Sequence, residues 1–112
     1  MKTFTFITDY QGGTYISQQT ANGLLDACHH WKDHILSGRY IQDLDVHQFA
    51  EAFDADINEL PPVGIDEVIN VWLFQLVITD HMLSVHIVLT DLSTKGVSEE
   101  SNGNRVSSRL FV

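Results

Sequence analysis

Two stretches of the chain alternate large apolar and polar residues, and each is broken near its middle by residues suited to a turn. Residues 3 to 18, TFTFITDYQGGTYISQ, place Phe, Tyr, Ile and Thr at period two, and Gly12-Gly13 supplies the positive φ that a tight reversal needs. A β-hairpin is expected. A three-residue Gln11-Gly12-Gly13 loop gathers Phe4, Phe6, Thr8, Tyr10 and Ile16 on one face, which favours that register. Residues 70 to 91 carry the stronger signal. With Asp80-His81 as a two-residue loop, Ile78 faces Leu83, Leu76 faces Val85, Phe74 faces Ile87 and Trp72 faces Leu89, and a one-residue slip destroys the match. The opposite face sets Val71, Leu73, Gln75, Val77 and Thr79 against Ser84, His86, Val88 and Thr90. That face is too apolar for free solvent, so the tail, the other hairpin or a second copy of the chain is expected to cover it.

Between the hairpins the period changes from two to that of a helix. Over 19–37, Ala21, Leu24, Leu25, Cys28, Trp31, Ile35 and Leu36 fall in one stripe at roughly 100° per residue, and Ser37-Gly38 ends the run. A second, shorter helix starts at Asp45, a good N-cap with Gln48 three residues on, and buries Val46, Phe49, Ala50 and Phe53. Pro61-Pro62 stops it. The terminal RVSSRLFV can add an edge strand through Val106, Ser108, Leu110 and Val112. The order is ββααββ, with that further strand making ββααββ(β). It predicts an α+β fold, an antiparallel sheet of two hairpins packed on one face by one long and one short helix. At 112 residues a single domain spanning 1–112 is expected. The hairpin-then-helix opening resembles small bacterial antitoxins of the HicB kind, although no motif specific to them is present.

Charge narrows the choice of partners. Fifteen Asp and Glu against six Lys and Arg give −9, and no Lys or Arg stands between Tyr40 and Thr94, where ten acids lie. Eight of those ten fall between Asp43 and Glu67. Such a stretch repels phosphates and anionic lipid, which argues against nucleic acid and membrane surfaces and for a basic protein. The longest apolar-rich run, VWLFQLVI, is far short of the ~20 residues a bilayer demands. With no h-region at the N-terminus and one cysteine, a cytoplasmic protein is expected.

The stretch CHHWKDH, residues 28 to 34, is the one that looks like chemistry. On a helix, however, Cys28 enters the apolar stripe, while His30 and His34 lie one turn apart on the far side with Asp26 and Asp33. His30 and His34 form a weak metal pair at best, because a zinc site wants three or four ligands. The start of a calcium loop at DADINE fails as well, since Glu59 stands where Gly belongs and Pro61-Pro62 interrupt it. No cofactor fingerprint is present, and an enzyme is the less expected outcome.

Three functional readings follow. The first is a non-catalytic binding domain, like immunity proteins and antitoxins, that meets a basic partner through Asp43, Asp45, Glu51, Asp54, Asp56 and Glu59. The second is a small enzyme or ligand-binding domain with a pocket on the mixed sheet face near His86 and Gln75. The third is a homodimer formed through Val71, Leu73, Val77 and Val88.

Overall fold

Both hairpins close through two residues of positive φ. Gln11 and Gly12 sit at 47° and 82°, Thr79 and Asp80 at 51° and 69°. That pairing of signs gives a turn whose twist matches the twist of the strands it joins. The computed structural model describes residues 1–38 and 40–91. In chain order its elements are β1 (Lys2–Tyr10), β2 (Gly13–Ala21), α1 (Leu24–Ser37), α2 (Val46–Glu59), β3 (Val63–Gly64), β4 (Val71–Ile78) and β5 (His81–Asp91). The α+β class is as expected, in the order ββααβββ. The fifth strand found is the two-residue β3, whereas the strand expected at 106–112 lies outside the described residues.

The strands form one antiparallel sheet in the order β2-β1-β5-β4-β3, so the two hairpins meet along β1 and β5. The first turn is one residue shorter than expected, and the second lies one residue earlier. The first loop is Gln11-Gly12, which pairs Tyr10 with Gly13 and Ile7 with Ile16. Ile16 therefore turns away from Phe4 and Phe6 and joins the opposite face. Gly13 enters the strand and lies beneath the Tyr15 ring, where a Cβ would stand 2.7 Å from the Tyr15 hydroxyl oxygen. The second loop is Thr79-Asp80, pairing Leu76 with Leu83, Phe74 with Val85 and Trp72 with Ile87. Every partner changes but no residue changes face, because the sum of paired positions shifts by two. Asp80 tolerates the left-handed region, and His81 is freed to set its ring edge-on against Tyr10 at 6.4 Å.

Both helices pack on the face of Phe4, Phe6, Phe74, Leu76, Val85 and Ile87, α1 over β1 and β2 and α2 over β4. Trp31 is the centre of this core. It stacks on Phe6 at 5.4 Å and 9° and takes the edge of Phe49 at 5.5 Å, while Phe53 meets Phe74 at 5.8 Å. The helix expected over 19–37 loses its first turn, because β2 continues to Ala21 on the free edge of β1. Leu25 and Leu36 are exposed, lying roughly 90° and 110° around the helix from the middle of the buried line of Cys28, Trp31 and Ile35. The second helix is as long as the first, 14 residues each. The Asp45 carboxylate caps it by accepting from the His47 and Gln48 amides at 3.1 Å. No described helix is long and apolar enough to cross a membrane.

Thr79 is a β-branched residue held at positive φ, a conformation that costs such a side chain about 1–2 kcal/mol. Changing Thr79-Asp80 to Asn-Gly should raise unfolding stability by about 1 kcal/mol, read as a higher urea midpoint at unchanged slope.

Candidate functional site

The acidic residues do not form one patch. Asp43 and Asp45 lie at the start of α2 beside the tip of the first hairpin. Burial pushes the Tyr10 hydroxyl above its usual range, and the charges of Asp45 and Asp43 push it further the same way. Glu51 points to solvent from the middle of the helix. Asp54 faces α1, where the Lys32 ammonium approaches it to 2.7 Å and also lies 5.4 Å from the Phe53 ring centre. Helical geometry then puts Asp56 roughly 160° and Glu59 roughly 140° around from Asp54. They occupy the flank turned away from α1. The described residues hold thirteen Asp and Glu against Lys2 and Lys32, and Asp54 pairs with Lys32.

The mixed sheet face is left uncovered by both helices. Register builds a row across all five strands on it: Ile16, Ile7, His86, Leu73 and Val63. Val71, Val77, Met82 and Val88 lie on the same face, with Val77 at 60% and Met82 at 51% exposure. His86 is therefore opposite Leu73 rather than Gln75. The Gln75 amide instead donates to Ser84 Oγ at 3.1 Å. The two residues named for a pocket are diagonal neighbours on this mixed face, and Gln75 borders a cleft with Val63 and Leu73 at the sheet edge.

The two histidines proposed as a metal pair turn to different neighbours. His30 Nδ1 lies 3.1 Å from the Thr20 carbonyl, tying the helix to the end of β2. His34 packs edge-on against Tyr40, ring centres 4.5 Å apart. Among the described residues no three His, Cys, Asp or Glu side chains gather into a group able to hold a metal.

One concavity escaped the sequence reading. Tyr15, Ile35, Tyr40, Ile41, Asp43 and Leu44 help to line a half-open cleft of about 1100 Å³ where α1 hands over to α2. The Gln42 amide donates to the Tyr15 hydroxyl there at 3.3 Å, and the Tyr15 and Tyr40 rings lie 5.8 Å apart. Burial pushes the Tyr40 hydroxyl up, and Ser17 beside it acts in the opposite sense. The cleft is made by a connection folding back onto β2, a tertiary event with no periodic signature. Its polar groups include two tyrosines, Ser37, Gln42 and the Asp43 carboxylate; the Ser37 hydroxyl donates to the His34 carbonyl, and among the described residues no hydrogen bond joins a hydroxyl there to Asp43.

Cys28 is fully buried in the core, and burial pushes its thiol up to about 12. The neutral thiol is thus the folded form, and the unfolded chain gives up its proton first, near the ordinary value of 9.0. Stability present below pH 9 should therefore decline as pH rises above it, by at most about 1.4 kcal/mol per unit. Urea unfolding at pH 8 and pH 10 should show this decline in the parent protein and a smaller one in Cys28→Ala. The native thiol should also stay unreactive to alkylation until the chain is unfolded.

No protein-family model, curated protein or solved structure matches this chain, so any functional reading stands on its own surface.

Proposed function

We propose that the chain is a non-catalytic binding domain of the cytoplasm whose acidic surface receives a basic partner protein, in the manner of immunity proteins and antitoxins. The supporting observation is an imbalance. Eight carboxylates lie between Asp43 and Glu67, and Asp54 is the one of them that meets a described cation. Carboxylates spread around α2 and its flanking loops create a field rather than a point contact. Such a field speeds encounter with a positive surface and penalises acidic competitors. Aligned groups for bond making are not found at the cleft, at His86 or along α1, which favours binding over catalysis.

A second reading has its own support. The row from Ile16 to Val63 favours a homodimer formed through the open sheet face, since an apolar surface of that kind gains by being covered. The two readings separate on dilution and salt.

Native mass spectrometry of the untagged protein, gently purified from its own cells, should show a stoichiometric basic chain that leaves as ionic strength rises. The triple variant Asp54→Lys, Asp56→Lys, Glu59→Lys should retain its circular dichroism spectrum and lose that chain. A bare monomer, or a partner kept by the triple variant, sinks the first reading. A dimer that persists through micromolar dilution and high salt supports the second.

A further inference from the structure

β3 is two residues long and pairs only with Leu73 and Trp72 of β4. The Ile65 amide donates to the Val71 carbonyl at 3.1 Å, so the backbone groups of Val71 point away from β5. Alternation along a strand then points those of Leu73, Gln75 and Val77 the same way, while Trp72, Phe74, Leu76 and Ile78 face β5. Val63 sits opposite Leu73. Beyond it, the amides and carbonyls of Gln75 and Val77 face outward with no hydrogen-bond partner among the described residues. The strand, VWLFQLVI, has no charge, no proline and no break in register with β5. Protected edges normally carry at least one of these devices.

We infer that this edge of β4 is a strand-addition site for a basic, extended segment of a partner protein. The inference rests on the reading of the chain as a receiver of basic partners, and it names where that partner docks. The site has walls. Glu59, Leu60, Pro61, Val63, Phe74 and Gln75 help to enclose a cleft of about 480 Å³ beside the edge. Leu60 and Val63 are each 66% exposed there. Glu59 of α2 lines the cleft itself, and helical spacing puts Asp56 roughly 60° around from it, on the flank opposite Asp54 and its lysine. A strand added at Gln75 and Val77 would present alternate side chains to two surfaces. One set would meet Asp56 and Glu59, where Lys or Arg fits. The other would meet Val77 and Val63 on the open face, where apolar residues fit.

A second copy of this chain is the poorer occupant. Pairing β4 with its own symmetry mate would bring two Asp56 and two Glu59 carboxylates toward one seam.

The probe is a capped seven-residue peptide alternating Lys and Val, with a Glu-Val peptide as its control, followed by amide NMR on the full chain. In the free protein the Gln75 and Val77 amides should exchange at least tenfold faster than those of Phe74 and Leu76. The Lys-Val peptide should slow and shift them, and the Glu-Val peptide should not. Val77→Pro deletes one outward donor at a position where an edge strand accepts proline, and should weaken binding at least tenfold. Should that variant unfold, Gln75→Pro removes the neighbouring donor. The pair Asp56→Lys, Glu59→Lys should weaken binding by a similar factor. Slow exchange of Gln75 and Val77 in the free protein overturns the inference, as does absence of binding or a peptide that shifts β2 or the open face instead. A dimer that Val77→Pro dissociates assigns the edge to a second copy and also overturns it. Binding lost in the charge variants but kept in the proline variants refutes strand addition and leaves the acidic reading standing. Binding lost only in the proline variants refutes the acidic reading.

Discussion

The pairing of β1 with β5 is the constraint from which the rest of this structure follows. Each hairpin can form locally, yet an isolated two-stranded hairpin is marginal in water. The register from Phe4 opposite Leu89 to Tyr10 opposite Leu83 joins the first strand to the last described one and makes one sheet of two ribbons. This pairing alone creates a continuous apolar face, with Phe6 on one ribbon and Phe74 on the other. Trp31 and Phe53 reach that face from the helices, at 5.4 Å and 5.8 Å from those two rings. Some eighty residues of chain must be closed before this contact forms, a cost that the helices help to offset by packing across the seam.

Side-chain alternation made the faces of the sheet legible, because period two depends only on which residues are large and apolar. Register was not legible to the same degree. Gln11-Gly12-Gly13 and Thr79-Asp80-His81 each admit two adjacent turn placements, and neither contains the Asn-Gly or Asp-Gly pair that would have chosen between them. The choice was made by neighbours: Gly13 under the Tyr15 ring, and His81 against Tyr10. For the second hairpin the difference of two kept every residue on its predicted face. For the first, a difference of one moved Ile16 from the expected core face to the exterior. Composition could not anticipate that, since an isoleucine is apolar on either side. Likewise Cys28, Trp31 and Ile35 were readable as core from helical spacing, whereas the limits of α1 depended on how far β2 stays paired to β1.

The acidic run shows the same division. Counting along the chain correctly located an uncompensated stretch of carboxylates, but α2 winds that stretch around its axis and splits it. Asp45 spends its carboxylate on the helix cap, Asp54 faces Lys32, and Asp56 and Glu59 are sent to the other side. A linear cluster therefore becomes several local environments with different jobs. The outer edge of β4 was not read from the sequence, because its openness at Gln75 and Val77 depends on β3 beginning only at Val63, after Pro61-Pro62 have led the chain away from the end of α2.

These two features bear on one another through the physics of edges. The sheet ends on β2 at one side and on β4 beside the short β3 at the other, and neither β2 nor β4 contains a charged residue. At β2 the helix next door intervenes: His30 reaches the Thr20 carbonyl, so part of that edge is satisfied from within the chain. At β4 no described group hydrogen-bonds to the outward backbone of Gln75 or Val77, and the protection that remains is electrostatic. Carboxylates on the overhanging flank of α2 disfavour a second identical edge while leaving a cationic strand free to approach. An uncharged edge with carboxylates on a neighbouring element disfavours acidic strands without being closed. The net charge of −9 acts in the same direction at longer range, since it opposes the approach of any like-charged surface to an edge that carries no protective charge of its own.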